Sequence, residues 1–117
     1  MIMTCILIAI TDGDTIRTDC GRIRIANIDA PETRVCPVEA DAATRHLATL
    51  INGTLTVNAL YTDRYGRIVG VITDNGRDVG AAMVTSGHAQ PWPHSPSGRA
   101  LTARPRGVDH VSRKILA

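Results

Sequence analysis

Residues 4–28 read TCILIAITDGDTIRTDCGRIRIANI, and this stretch holds three short β-rich runs separated by two tight turns. The runs cover residues 4–10, 15–18 and 22–28, and the turns between them read DGD and DCG. Glycine supplies the positive φ that such turns often need, so the pattern predicts an antiparallel meander of three strands.

The chain continues with one helical pattern and two further extended ones. Apolar side chains at helical spacing predict a helix over residues 39–52. Alternating side chains then predict strands over residues 55–61 and 67–73. These two strands bring the predicted total to five.

The last predicted elements are helical. Asp78 predicts the N-cap of a short helix over residues 79–86 that ends at Gly87, and a final helix is predicted over residues 108–116. The order βββ-α-ββ-α predicts an α+β fold that is mainly β, a five-stranded OB-like barrel with two to three packed helices. A doubly wound sheet is disfavoured, because its strands alternate with helices.

Length and composition limit the classes of function. The 117 residues make one domain, with the barrel and helices expected over about residues 4–92 and a Pro- and Arg-rich segment over residues 93–117. The chain has no Phe, and Tyr61, Tyr65 and Trp92 are its only aromatic residues. A nucleic-acid surface built on rows of stacked rings is therefore nearly ruled out, because it needs several rings on one face.

The net charge of +2 conceals an uneven distribution. Residues 1–63 hold five basic and eight acidic side chains, whereas residues 64–117 hold eight basic and three acidic ones. A site that binds a cation and a polyanion together requires both kinds of charge. We expect phosphate contacts to dominate binding, which would then be salt-sensitive and weakly selective for sequence.

The sequence also gives expectations about the location of the protein, its assembly and its cysteines. No apolar run approaches the ~20 residues of a membrane span, and the N-terminal segment lacks signal-peptide features. We expect a cytoplasmic protein, or a secreted or periplasmic one if a leader has been removed, acting as a monomer without an obligate protein partner. Cys5, Cys20 and Cys36 form no C-x-x-C pair, so we expect three small, half-buried thiols, although one bridge is possible.

Three acidic segments, at residues 12–15, 29–32 and 63–67, suggest a metal-assisted reaction at phosphate. Asp14 and Asp29 offer the carboxylate oxygens that hard divalent cations prefer. A metal of this kind commonly acts on a phosphate group.

Arginines and one further carboxylate would complete such a site. Arg24 and Arg67 carry the planar guanidinium groups that match phosphate oxygens, and Glu32 could orient or deprotonate a water molecule. Arg24 and Asp29 would face opposite ways in a regular strand, so the chain must bend at residues 27–30 for both to reach one site.

In order and spacing, residues 12–15, 24–32 and 63–67 resemble the motifs of the thermonuclease, or staphylococcal nuclease-like, family. The resemblance covers roughly residues 5–92. It implies an OB-fold barrel and Ca²⁺-dependent hydrolysis of phosphodiester bonds in DNA and RNA, with little sequence specificity.

The resemblance also implies a role for each matching residue. The Ca²⁺ ligands would be Asp14, Asp29 and the main-chain carbonyl of Ala30. The catalytic side chains would be Glu32 as general base and Arg24 and Arg67 as the clamp on the scissile phosphate. The contacts to a terminal phosphate of the substrate would be Arg64 and Tyr65.

Some features depart from the family or stay without a role. Trp92 lies where the family places tyrosines that contact the nucleotide. It could stack on a base, but we expect it to be a core or lid residue. The chain also has four histidines without metal-ligand spacing, to which we assign no role: His46, His88, His94 and His110.

Two alternatives to a nuclease remain. One is a non-catalytic OB-fold module that binds nucleic acid or a protein partner, and such modules tend to lose some of the acidic and arginine positions. The other is a Ca²⁺-stabilised structural domain, which is disfavoured because arginines beside the ligands would weaken a purely structural site.

Overall fold

The computed structural model describes residues 1–92. The helix predicted over residues 108–116, His94 and His110 therefore lie outside the described residues. In chain order the elements are β1 (Ile2–Asp12), β2 (Thr15–Thr18), β3 (Gly21–Ile25), β4 (Ile28–Asp29), α1 (Pro37–Leu50), β5 (Thr54–Thr62), β6 (Ile68–Asp74), β7 (Arg77–Asp78), α2 (Val79–Thr85) and β8 (Gln90–Pro91).

Five of these strands close into the predicted barrel. The sheet order is β3-β2-β1-β5-β6, with the short strand β7 added at the edge of β6, and β3 closes the barrel by pairing in parallel with β6. The remaining pairings in the barrel are antiparallel. The structure confirms the mainly β, OB-like prediction, with two helices in the described part of the chain. Within that part, no helix is long and apolar enough to cross a membrane.

The third predicted strand is shorter than its sequence pattern suggests. It ends at Ile25, and the chain turns at Asn27, whose φ is 76°. Asn enters this left-handed region more readily than most residues. The strand β4 then leaves the barrel and pairs with β8. The bend that the sequence required at residues 27–30 is therefore present.

Both helices lie near their predicted positions. The first, α1, begins two residues early because Pro37 suits the first helical turn. The side chain of Asp78 caps α2 as predicted, accepting a hydrogen bond from the amide of Ala81 at 3.0 Å. His46 of α1 and His88 after α2 stack with ring centroids 4.4 Å apart.

The core is aliphatic, as a chain without Phe requires. Barrel side chains meet those of α1 and α2 in one cluster, whose largest fully buried members are Ile16, Ile23, Ile25, Ile28, Leu47, Leu55, Ile72 and Met83.

The expectation of three free thiols is wrong for two of them. Cys5 and Cys20 form a disulfide, and Cys36 is the free, half-buried thiol of the described residues. The β2–β3 turn folds back onto β1, where the amide of Asp19 donates to the carbonyl of Ile6 at 3.1 Å. This non-local contact, which spacing alone does not reveal, brings the two cysteines together.

Candidate active site

A cleft of about 760 Å³ opens at one end of the barrel. It lies beside the β1–β2 turn, the segment around β4 and the loop that leads to α1. The residues that line it are Asp12, Asp14, Arg24, Asp29, Ala30, Pro31, Glu32, Thr33, Arg34, Val35, Arg67 and Trp92.

The β1–β2 turn is packed tightly against its surroundings. A Cβ atom at Gly13 would lie 2.7 Å from the Cβ of Ala30 and 2.8 Å from the Cβ of Ala43. Only glycine fits this space without a shift of the chain. The close packing fixes Asp14, whose Oδ2 accepts a hydrogen bond from the amide of Ala30 at 3.1 Å.

Arg24 lies between two of the predicted metal ligands. Its Nη2 is 3.6 Å from Oδ2 of Asp14 and 3.9 Å from Oδ1 of Asp29. Its Nη1 donates to the main-chain carbonyls of Ile25 and Ile28, the latter at 2.9 Å. The guanidinium group is buried by these contacts, and it partly compensates the two carboxylate charges.

Arg67 is fixed by one carboxylate and one hydroxyl. Its Nε donates to Oδ2 of Asp63 at 2.8 Å, and its Nη1 donates to Oγ1 of Thr15 at 3.5 Å. The Thr15 hydroxyl in turn donates to Oδ1 of Asp14 at 3.1 Å. The buried Thr15 hydroxyl therefore connects Asp14, a predicted metal ligand, with Arg67, which is predicted to bind the phosphate.

Three residues of this arrangement had no role in the sequence analysis. Asp12 lines the cleft and accepts from the amide of Asp14 at 3.2 Å, while Thr15 and Asp63 hold Asp14 and Arg67. Each belongs to an acidic segment noted above, so proximity to Asp14 or Arg67 in sequence was the available signal.

Two of the carboxyl groups that line the cleft, those of Asp12 and Asp29, carry raised pKa values. The pKa of Asp12 is raised by burial, then by the hydrogen bond and the negative charge of Asp14. The pKa of Asp29 is raised by burial and by the charges of Asp14 and Glu32, and the Arg24 charge only partly offsets this. Such a concentration of negative charge favours binding of a cation.

The donor atoms fit a hard divalent cation. Asp14 and Asp29 contribute oxygen donors from two separate segments, and the side chain of Asp29 is 53% exposed and open to the cleft. Ala30 and Glu32 line the same cleft. Oxygen-only donor sets with room for water are those that Ca²⁺ and related ions prefer.

Arg64 and Tyr65 lie at a second, smaller cavity of about 190 Å³. The Nη2 of Arg64 donates to the Tyr65 hydroxyl at 2.9 Å, and the guanidinium carbons of Arg64 and Arg67 lie 5.0 and 5.4 Å from the Tyr65 ring centroid. Ile25 and Val69 add apolar surface. Arg64 and Tyr65, the candidates for binding a terminal phosphate, thus lie away from the predicted metal ligands but adjacent to Arg67.

Trp92 lies on the wall that the two cavities share. Its ring centroid is 4.5 Å from the guanidinium carbon of Arg24, and the side chain is at the surface rather than in the core. The structure therefore makes it a wall residue of the site.

Comparison with models of protein families identifies the family of this chain. A profile of staphylococcal nuclease homologues matches residues 22–100. The chain belongs to the staphylococcal nuclease family. The family resemblance drawn from the three motifs is therefore confirmed.

Curated relatives show similarity over most of this chain. It is 38% identical over 89 residues to an uncharacterized endonuclease of Escherichia coli, covering 71% of this chain and 57% of that protein. It is 34% identical over 106 residues to endonuclease YhcR of Bacillus subtilis, covering 72% and 9% respectively. It is 35% identical over 108 residues to protein ParB of Escherichia coli, covering 80% and 59%. The chain thus spans little more than half the length of two relatives and about a tenth of the third.

Proposed function

We propose that this chain is a Ca²⁺-dependent nuclease that hydrolyses phosphodiester bonds of DNA and RNA with little sequence specificity. The position of Arg24 between Asp14 and Asp29 carries the proposal, because it puts cation ligands and a phosphate ligand in one cleft. Two relatives named as endonucleases support the same reaction class.

The metal ligands in this proposal are Asp14, Asp29 and the main-chain carbonyl of Ala30. A bound Ca²⁺ would supply positive charge that stabilises the negative charge developing on the phosphate. Binding a cation at these carboxylates also offsets the charge repulsion that, together with the larger effect of burial, raises the pKa of Asp29.

The remaining side chains bind the substrate and move the proton. Arg24 and Arg67 bind the non-bridging oxygens of the scissile phosphate, where bidentate donors fit well. Glu32 takes a proton from a water molecule while the oxygen of that water attacks phosphorus. The bond from phosphorus to the 5′ oxygen breaks, and this leaving oxygen takes a proton from solvent, which gives a 3′-phosphate and a 5′-hydroxyl.

The smaller cavity would bind the neighbouring nucleotide. Arg64 and Tyr65 supply donors for a terminal phosphate there, and the apolar wall contributed by Val69 suits the face of a base. No side chain is assigned to base-edge recognition, so we expect weak sequence preference.

Matched variants test these roles. Glu32→Gln and Arg67→Ala should each lower cleavage of a fluorescent single-stranded oligonucleotide by roughly 10²–10³-fold, since each loses a group needed in the transition state. Glu39→Gln, which alters a half-buried acid on the first turn of α1 that lines neither cavity, should keep wild-type activity.

The same assay distinguishes the nuclease from the binding module. Full activity of folded Glu32→Gln and Arg67→Ala would contradict the assigned roles. A wild-type protein that binds the oligonucleotide but cleaves it with none of Ca²⁺, Mn²⁺ and Mg²⁺ would favour a non-catalytic module.

A further inference from the structure

Arg24 is held back from the carboxylates that flank it. Charge-assisted N–H···O hydrogen bonds usually span about 2.7–2.9 Å. The separations from Nη2 to Asp14 and Asp29 are 3.6 and 3.9 Å. The guanidinium group is thus close enough to feel both charges but does not form a tight ion pair with either carboxylate.

Two kinds of contact hold Arg24 in this place. On one nitrogen, the carbonyls of Ile25 and Ile28 accept hydrogen bonds. Over the guanidinium group, the indole ring of Trp92 lies 4.5 Å from the guanidinium carbon. A cation over an indole face is attracted by the ring quadrupole, and Trp is the most effective ring for this contact.

Trp92 is itself fixed by the segment that carries Asp29. In the β4–β8 pair, Pro91 lies opposite Ile28 and Gln90 lies opposite Asp29. The amide of Trp92 also donates to the carbonyl of Asn27 at 2.8 Å. The ring position therefore depends on the same bend that brings Asp29 to the cleft.

We propose that Trp92 is a positioning residue that keeps Arg24 from collapsing onto Asp14 and Asp29. The proposal rests on the nuclease function above. With the indole in place, the carboxylate oxygens stay available to a divalent cation and the guanidinium group stays available to a phosphate. Without it, Arg24 pairs directly with the carboxylates and competes with the cation.

Isothermal titration calorimetry of Ca²⁺ binding by the whole chain tests this competition between Arg24 and the cation. Trp92→Leu should weaken Ca²⁺ binding about tenfold and lower kcat by a similar factor, whereas Trp92→Phe should stay within about threefold of the wild type. Ile8→Ala, which removes an exposed apolar side chain outside both cavities, should change neither quantity.

A double-mutant cycle shows whether the effect passes through Arg24. In an Arg24→Met background there is no guanidinium group to pair with the carboxylates. Adding Trp92→Leu should therefore leave the Ca²⁺ dissociation constant unchanged. If the wild type binds Ca²⁺ and Trp92→Leu weakens that binding equally in both backgrounds, or does not weaken it in the native one, the proposal is overturned. If Trp92→Leu does not fold, Trp92→Met takes its place in the cycle.

A nuclear magnetic resonance measurement separates this proposal from the proposed function. The indole ring current should shift the Arg24 Nε–H proton upfield in the metal-free wild type and in Trp92→Phe, but not in Trp92→Leu. This pattern supports the contact even if the wild type binds no Ca²⁺ and cleaves nothing, which would refute only the nuclease function. An Arg24 signal that is identical in all three proteins overturns the positioning role.

Discussion

Reduction of the Cys5–Cys20 disulfide should destabilise the barrel strongly. The bridge joins residues 15 positions apart and encloses the β1–β2 hairpin, including the turn that carries Asp14. Chain-entropy arguments assign about 3 kcal/mol to a loop of about 15 residues. Reduction breaks only the S–S bond and leaves both cysteine side chains in place, so no cavity adds to this value. For a domain of this size, we expect the Tm to fall by roughly 10–20 °C.

Urea unfolding with and without a phosphine reductant measures the loss, with far-UV circular dichroism as the signal. Cys36→Ser is the matched control, because it removes the thiol outside the bridge and should show the same reductant-dependent shift. Thiol titration in denaturant should find one reactive cysteine before reduction and three afterwards.

Two results would refute the reasoning on the disulfide. One is a free energy of unfolding that changes by less than about 0.5 kcal/mol on reduction, well below the loop-closure value. The other is the detection of three thiols without reductant. Because disulfides persist in oxidising compartments, a confirmed bridge would favour the secreted or periplasmic location over the cytoplasmic one.

Three further predictions concern the cleft. Gly13→Ala should cost about 1–3 kcal/mol in urea unfolding and lower activity about 10²-fold, because its Cβ would meet Ala30 and Ala43 at under 3 Å; wild-type activity would contradict the tight packing. Thr15→Val should lower kcat about tenfold, whereas Thr15→Ser, which keeps the hydroxyl, should restore it; equal rates would exclude a role for the hydroxyl. Asp29→Asn should raise the Tm of the metal-free protein at pH 7 by about 1–3 °C, because the folded state raises the pKa of this partly exposed carboxyl and so disfavours its ionised form. That gain should vanish below about pH 4, where the carboxyl is protonated in both states, and should become a loss in Ca²⁺ if Asp29 is a ligand.

Local patterns in the sequence predicted the elements well. The strand over residues 15–18 and the cap at Asp78 were placed correctly, because turn residues and capping side chains act within a few positions of the chain. In a regular strand, side chains alternate between the two faces, which would turn Arg24 and Asp29 in opposite directions. This alternation predicted a bend between them, and the structure places the bend at Asn27.

Features that depend on distant contacts were not predicted. The parallel pairing of β3 with β6 joins residues about 45 positions apart, for example Ile23 with Ile68. The Cys5–Cys20 bridge likewise arises from the fold-back of a turn onto β1. The stacking of Trp92 on Arg24 depends on the pairing of β8 with β4. Periodicity carries no signal for such pairings, because they are set by barrel closure.

Cleavage by the wild-type chain is the most direct test of the nuclease function. An end-labelled single-stranded DNA is incubated with the protein in Ca²⁺, in excess EDTA, and in EDTA followed by restored Ca²⁺, and the product ends are identified. We expect cleavage only when Ca²⁺ is present, with recovery on its return and with 3′-phosphate and 5′-hydroxyl ends. Cleavage that persists in EDTA, or no cleavage by folded protein that binds Ca²⁺, would contradict the account.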